Sequence, residues 1–244
     1  MRKNSAKTSV EQLQSDFVSL SSHQLRTPLS AIKWFTEILL KQRTGKLNRK
    51  QIDYLREIQN STERAIALVN DLLQVSRVQE GKLHLDLTTI DFAALASEII
   101  ELYRSKFESG KISVNFEVLH GPLPQVHADK IKLKRVFENV LANAIHYTPT
   151  NGSVDIKLKR NDGEILCSIT DTGVGIPQDQ QNTVFTKFFR ATNAAKIQPD
   201  GTGLGLFIAR ALLSAHGGKI WFESSEGTGT TFFFTVPLKP SKPR

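Results

Sequence analysis

One cysteine, Cys167, is all that this 244-residue sequence carries, so no internal disulfide can form. It sits in an alternating apolar pattern, which predicts a buried structural thiol. No segment approaches the roughly 18 consecutive apolar residues of a membrane span, and no secretory leader is expected at its start. Membrane contact within the chain is therefore not expected. A basic stripe interleaved with aromatics is also missing. The formal net charge of +8 is spread out: residues 1–80 hold 13 basic and 8 acidic residues, and residues 81–244 hold 19 and 16. Charge gives no footprint for nucleic acid. What remains is the ordinary composition of a soluble globular protein, long enough for two domains.

The stretch Ser21-Ser22-His23-Gln24-Leu25-Arg26-Thr27-Pro28-Leu29-Ser30 lies in a long helical pattern. Val10, Leu13, Phe17, Leu20, Gln24, Thr27, Ala31, Trp34 and Ile38 alternate in steps of 3 and 4, the seam of helices that pair along a stripe. His23 falls on the shoulder of that seam, where its ring can reach water. A plain surface histidine on a coiled coil would show the same pattern. Pro28 has no N–H for the carbonyl of Gln24, so a bend is expected beside the histidine. The first helix is predicted from Ser9 to Gln42, about 50 Å long at ~1.5 Å per residue. After a turn at Thr44–Asn48, a second runs from Asn48 to Val78 with Ile52, Leu55, Ile58, Thr62, Ala65, Ile66, Val69, Leu72 and Leu73 on its apolar face. Two such helices form an antiparallel hairpin. One hairpin cannot cover both of its stripes, so burial predicts a homodimer in a four-helix bundle.

Glu80-Gly81-Lys82 breaks the helical period and reads as an interdomain joint. Beyond it, a weak strand is expected at His84–Leu87, and a helix capped by Asp91 running to Ser109. An alternating strand at Ile112–Val118 and a helix capped by Asp129 running to Tyr147 follow. Strands at Ser153–Arg160 and Glu164–Thr170 are joined by Asn161-Asp162-Gly163, a hairpin signal. A helix at Leu204–His216 and a last hairpin of Lys219–Glu223 and Thr230–Pro237 complete the pattern. The sheet should be mixed or antiparallel, with helices on one face.

Three constellations carry chemistry. On the Asp129–Tyr147 helix, Asn139, Asn143 and His146 line a polar strip beside the apolar stripe. Asn at i and i+4 is unhelpful in mid-helix. The strip is either a solvated face or a place where two amide oxygens hold a hydrated Mg²⁺ together with phosphates. Asp171-Thr172-Gly173-Val174-Gly175 follows a strand, and Gly201-Thr202-Gly203-Leu204-Gly205 opens a helix. Glycines so placed let backbone N–H groups approach phosphates. Neither is a Rossmann fingerprint or a P-loop. A carboxylate such as Asp171 at a strand end can accept the exocyclic amine of adenine. Between the clusters, Phe185–Arg190 is aromatic and basic, and Ala191–Pro199 reads as a mobile lid. Gly227-Thr228-Gly229-Thr230 reads as a plain turn.

The order is what is specific: helical His-x-x-x-Thr-Pro, Asn-x-x-x-Asn, Asp-x-Gly-x-Gly, paired Phe, Gly-x-Gly-x-Gly. Over roughly residues 9–238 the chain resembles the sensor histidine kinases of two-component signalling. The resemblance implies an α+β protein: an N-terminal two-helix hairpin dimerising into a four-helix bundle (1–80), a linker (81–88), an α/β sandwich ATP-binding domain of the Bergerat type (89–240) and a tail (241–244). It implies that His23 accepts the γ-phosphoryl of ATP and passes it to an aspartate on a response regulator receiver domain. Gln24 stands where the family usually has Glu or Asp, and Thr27 resembles the residue that positions water for dephosphorylating the partner. Asn139 and Asn143 would help hold Mg²⁺, and Asp171 would read adenine. His146, Tyr147, Gly173, Gly175, Phe188, Arg190, Gly201, Gly203, Gly205 and Thr230 complete the implied nucleotide-binding set. His146 stands where the family often has Lys or Arg. The implied location is cytoplasmic, free or as the cytoplasmic part of a membrane-bound sensor. A phosphatase-dominant member of the family and a non-catalytic, ATP-gated dimeric scaffold are the rival readings.

Overall fold

The computed structural model describes residues 21, 22, 24–42 and 45–239. His23, and the predicted seam positions Val10, Leu13, Phe17 and Leu20, lie outside the described residues. The chain divides into two compact units, Met1–Leu83 and His84–Arg244.

In the first unit, helix α1 covers 24–40 and runs through Pro28 unbroken. Helix α2 spans Arg49–Gln79. Asn48 starts it with a reciprocal cap: its Oδ1 accepts from the Gln51 N–H at 3.0 Å, and the Gln51 Oε1 accepts from the Asn48 N–H at 2.8 Å. The helices run antiparallel, because Arg26 donates to Asn70 at 2.8 Å while Lys33 pairs with Glu63 at 3.1 Å. Thr36 and Thr62 are buried, and each hydroxyl donates to the carbonyl one turn back, Ile32 and Ile58 respectively.

The seam differs from the predicted one. Ser22, just before α1, and Arg26, Leu29, Lys33, Thr36 and Leu40 along it, in strict steps of 4 and 3, are buried or half-buried and mark the inner seam. Gln24, Thr27, Ala31 and Trp34 are exposed, and Ile38 is half-buried. Arg26, Lys33 and Thr36 of this inner seam have partners on α2 or on their own helix, so residue type alone did not mark it as interior. Leu25, Ile32 and Leu39, one heptad apart, stay exposed on α1 together with Trp34 and Phe35.

The second unit holds a five-stranded mixed sheet. Strands β2 (Ser113–Leu119), β4 (Ser153–Asn161), β5 (Glu164–Asp171), β6 (Ile220–Ser225) and β7 (Gly229–Pro237) lie in the order β2-β4-β5-β7-β6. Only β2 and β4 pair in parallel, joined through helix α5 (Lys130–Tyr147). Strands β1 (Thr88–Ile90) and β3 (Val126–Ala128) form a separate antiparallel pair. Helices α3 (Phe92–Leu102), α5 and α7 (Gly205–Ala215) cover one face of the large sheet. Val154, Ile156 and Leu158 of β4, Ile165, Cys167 and Ile169 of β5, and Phe232, Phe234 and Val236 of β7 form the buried side of that sheet. Phe92, Phe137 and Phe234, one each from α3, α5 and β7, meet edge-on with ring centroids 6.2 Å apart.

Two expectations change. The strand expected at His84–Leu87 is absent; pairing begins at Thr88, where β3 supplies a partner that is itself too short to stand out in the sequence. The helix expected from Asp91 to Ser109 breaks at Tyr103 and resumes as α4 (Arg104–Gly110). The break carries Phe107 into the core and leaves Leu102 60% exposed.

Helices α5 and α7 are tied at both ends. Near the start of α7, the Asn139 amide donates to the Gly205 carbonyl at 2.9 Å. At the other end His216, buried, donates from Nδ1 to the Leu212 carbonyl at 2.7 Å, so its Nε2 is bare and accepts the Asp129 N–H at 3.0 Å. Asp129 in turn caps α5 through the Lys132 N–H.

Candidate nucleotide site

The buried face of the sheet runs apolar until its end. Two residues beyond Ile169 on β5 comes Asp171, and two before Phe232 on β7 comes Thr230; the two are register partners. The core alternation therefore delivers a carboxylate and a hydroxyl, side by side, at its open margin. Asp171 is 5% exposed. Its Oδ1 accepts the Gly173 N–H at 2.9 Å and the Thr230 N–H at 3.3 Å. Burial pushes its pKa up to about 6, against the pull of those two N–H groups.

The loop after β5 is pressed from two sides. A Cβ on Gly173 would lie 2.6 Å from the Tyr147 carbonyl oxygen. Gly175 has φ +63, and a Cβ there would sit 2.0 Å from the Ser225 carbonyl oxygen. The Gly227–Thr230 cluster is more than the plain turn the sequence suggested. Its Gly227 N–H donates to Val174 at 2.8 Å, and Gly229 packs against the Asp171 carbonyl. The β6–β7 hairpin thus forms one wall of the Asp171 loop.

On α5, Asn139 spends its amide N–H on Gly205, and Asn143 is half-buried with no protein hydrogen bond to its side chain among the described residues. His146 stays exposed as a whole, but crowding of its ring by neighbouring atoms, then the charge of Lys106, lowers its pKa. Burial raises that of Tyr147, opposed by the charge of Arg190.

The segment read as a mobile lid contains a short helix, α6 (Thr192–Ile197), held at its start. Asn193 donates to the Gly175 carbonyl at 3.0 Å, and Gln180 exchanges hydrogen bonds with the backbone and hydroxyl of Thr192. At the far end Arg190 donates to the carbonyls of Gln198 and Pro199, and its Nε is buried with no partner. Gly201 lies flat on that guanidinium: a Cβ would stand 3.2 Å from Nε. Gly203, at φ +67, leaves no room for a Cβ against the Phe188 backbone, and Phe188 itself is 60% exposed with φ 61. Gly205 opens α7.

The structure therefore brings Asp171, Gly173, Gly175 and Thr230 together, links Asn139 to Gly205, and places Arg190 against Gly201. Gln24 and Thr27 lie exposed on α1 in the other unit. Sequence reasoning missed Ser224, Gln180, Gln181 and Asn193, which hold the loop and the lid. Their only signal is local polarity, since each acts on residues brought near by the fold.

A two-helix hairpin followed by a mixed sandwich, with an acidic strand end facing glycine loops and a lid, defines the class of two-part ATP-binding signalling proteins. The His Kinase A (phospho-acceptor) domain model matches residues 13–81. The model of the histidine kinase-, DNA gyrase B-, and HSP90-like ATPase matches residues 128–240. The chain belongs to the sensor histidine kinases. Sensor histidine kinase WalK of Bacillus subtilis (strain 168) is 37% identical over 238 residues, covering 94% of this chain and 38% of WalK. Among solved structures, full-length ShkA in complex with AMPPNP is 28% identical with a TM-score of 0.77, covering 93% of this chain and 46% of ShkA. Histidine kinase ThkA in complex with response regulator protein TrrA is 25% identical with a TM-score of 0.64, covering 98% of this chain and 66% of that one. The chain spans 28% to 38% of the length of the first four curated relatives it matches.

Proposed function

We propose that this chain is the core of an ATP-dependent protein-histidine kinase, with the hairpin of 1–80 as the dimerisation and phosphotransfer part and 89–240 as the ATP-binding part. The observation that carries the reading is the buried Asp171–Thr230 pair at the sheet margin, framed by glycines too closely packed to be replaced. An acceptor pair in a nearly dry site suits the exocyclic amine of adenine. The AMPPNP held by ShkA supports the same assignment. In this reading Phe188 and Tyr147 would border the base, and Arg190 and His146 would meet phosphate.

Mg²⁺ fits the donor set. The Asn139 amide oxygen stays available once its N–H₂ is spent on Gly205, and Asn143 has no competing partner among the described residues. Two neutral oxygens suit a cation that shares most of its shell with water and phosphates. When bound, the ion would offset phosphate charge. At the acceptor, a bare ring nitrogen of neutral His23 attacks the γ-phosphorus, an N–P bond forms, and the bond to the bridging oxygen breaks with ADP leaving. The amide oxygen of Gln24 is the neighbour placed in sequence to accept the ring N–H and hold the tautomer. The phosphoryl group then passes to an aspartate carboxylate of a receiver domain, as the ThkA–TrrA pairing suggests. Ser30, Ala31, Trp34, Phe35 and Ile38 form the docking face in this reading. Trp34 and Phe35, each 58% exposed, stack edge-on at 4.9 Å. Thr27, exposed on the same helix, would position water to hydrolyse the aspartyl phosphate of the receiver, releasing inorganic phosphate. The apolar stripe of Leu25, Ile32 and Leu39 suits a second copy, giving the homodimeric four-helix bundle. No helix among the described residues is long and apolar enough to cross a membrane, and a cytoplasmic position beside ATP is part of the proposal.

The test is to incubate the chain with [γ-³²P]ATP and follow acid-labile label. A kinase acquires it and loses it to a receiver domain. A scaffold that only binds ATP acquires none.

A further inference from the structure

We propose that Ser224 sets base specificity at this site by fixing which way the Thr230 hydroxyl points its proton; the proposal rests on the ATP reading above. Asp171, Thr230 and Ser224 form one row across β5, β7 and β6, each the register partner of the next. The Ser224 hydroxyl has one proton and two lone pairs. The proton goes to the Gly229 carbonyl at 3.0 Å. One lone pair accepts the Ile176 N–H at 2.9 Å. The remaining contact, 2.9 Å to the Thr230 Oγ1, can then be made only with Thr230 as donor. All three contacts are met together only in this arrangement, which uses every hydrogen-bonding position of Ser224.

The consequence lies at Thr230. With its proton committed to Ser224, its oxygen faces the site as an acceptor. Asp171 beside it is also an acceptor. A base that presents an amine at that edge, as adenine does, satisfies both. One that presents a carbonyl oxygen there, as guanine does, meets lone pairs on both sides. Ser224 also anchors the loop: it holds Ile176 through its hydroxyl, and its carbonyl accepts from Gln181 at 3.1 Å, the same amide that reaches the Ile176 carbonyl. The Ser224 hydroxyl is spent on Ile176, Gly229 and Thr230, so it acts as a positioning residue.

The experiment compares ADP and GDP, which report the base without turnover, by calorimetry on the full chain. Wild type should bind ADP well and GDP poorly. In Ser224→Ala the Thr230 hydroxyl loses its acceptor, rotates, and can donate to a carbonyl. The ADP-to-GDP affinity ratio should fall roughly tenfold, as expected when a buried donor–acceptor mismatch is relieved. Ser224→Thr, which keeps the hydroxyl, should restore the ratio. If the alanine variant does not fold, Ser224→Cys, nearly isosteric but a weak hydrogen-bonder, should lower the ratio in the same direction. Equal losses for ADP and GDP would show that Ser224 only holds the loop, overturning this proposal while leaving the ATP reading intact. A wild-type chain that binds neither nucleotide would remove the ATP reading and this proposal with it.

Discussion

Burial of Asp171 opposes folding wherever it is charged. Its pKa rises from 3.8 to about 6, so the protonated acid is the form the fold prefers. The stability it contributes is complete below pH 4 and lost as pH rises through 6. At neutral pH the loss is on the order of 3 kcal/mol, from about 1.4 kcal/mol per pKa unit. Asp171→Asn keeps an oxygen for the Gly173 and Thr230 N–H groups and removes the charge. Its melting temperature should exceed that of wild type at pH 7 and match it below pH 4. ADP binding should be lost, because the new amide N–H₂ faces the base amine. A variant no more stable than wild type at pH 7 would show that the carboxylate is better solvated than its surroundings indicate. Gln24 poses the opposite question, a charge that is missing. In the proposed reaction the His23 ring would gain positive charge as it attacks phosphorus, which an amide cannot balance. Gln24 is exposed, so water screens much of the effect. Gln24→Glu should therefore raise the initial rate of His23 labelling about tenfold at saturating ATP, with little change in ADP affinity. An unchanged or slower rate would make the amide the working partner.

Among the elements, α5 and the β4–β5 hairpin were the most legible. Asp129 caps α5 and Thr148-Pro149 stops it, and its predicted limits match the observed helix. Asn161-Asp162-Gly163 turns with positive φ at Asp162 and Gly163, as its residue types require. The break at Tyr103 was illegible because no glycine or proline marks it; the pull of Phe107 into the core makes it. The inner seam of α1 was illegible because Arg26, Lys33 and Thr36 look like surface residues until Asn70 and Glu63 are in place. The role of Gly227–Thr230 was hidden for the same reason, since Asp171 and Val174 lie more than 50 residues earlier. The tie between α5 and α7 carries its own pH dependence. Burial holds the His216 pKa below 6.5, against the Leu212 carbonyl and the charge of Asp129 and with the charge of Lys132. A depressed histidine stabilises above pH 6.5 and loses that contribution as pH falls through its folded value. In an Asp171→Asn background, which removes the opposite effect of that carboxyl, melting temperature should fall on acidification below pH 6.5. His216→Gln, which can still accept from Asp129 and donate to Leu212, should flatten that slope. An identical slope in both would place the acid sensitivity elsewhere.

At the scale of the whole molecule, the proposed kinase divides its tasks between two units: the hairpin would carry the phosphoryl acceptor and offer its apolar stripe to a second copy, and the sandwich would read ATP at the margin of its sheet. The two tasks separate by substitution. His23→Ala should abolish acid-labile labelling from [γ-³²P]ATP while leaving ADP affinity within about twofold, since one imidazole on the hairpin contributes nothing to base recognition. Label on wild type and none on a variant that still binds ADP is the result the account predicts. Acid-labile label persisting on His23→Ala would contradict it.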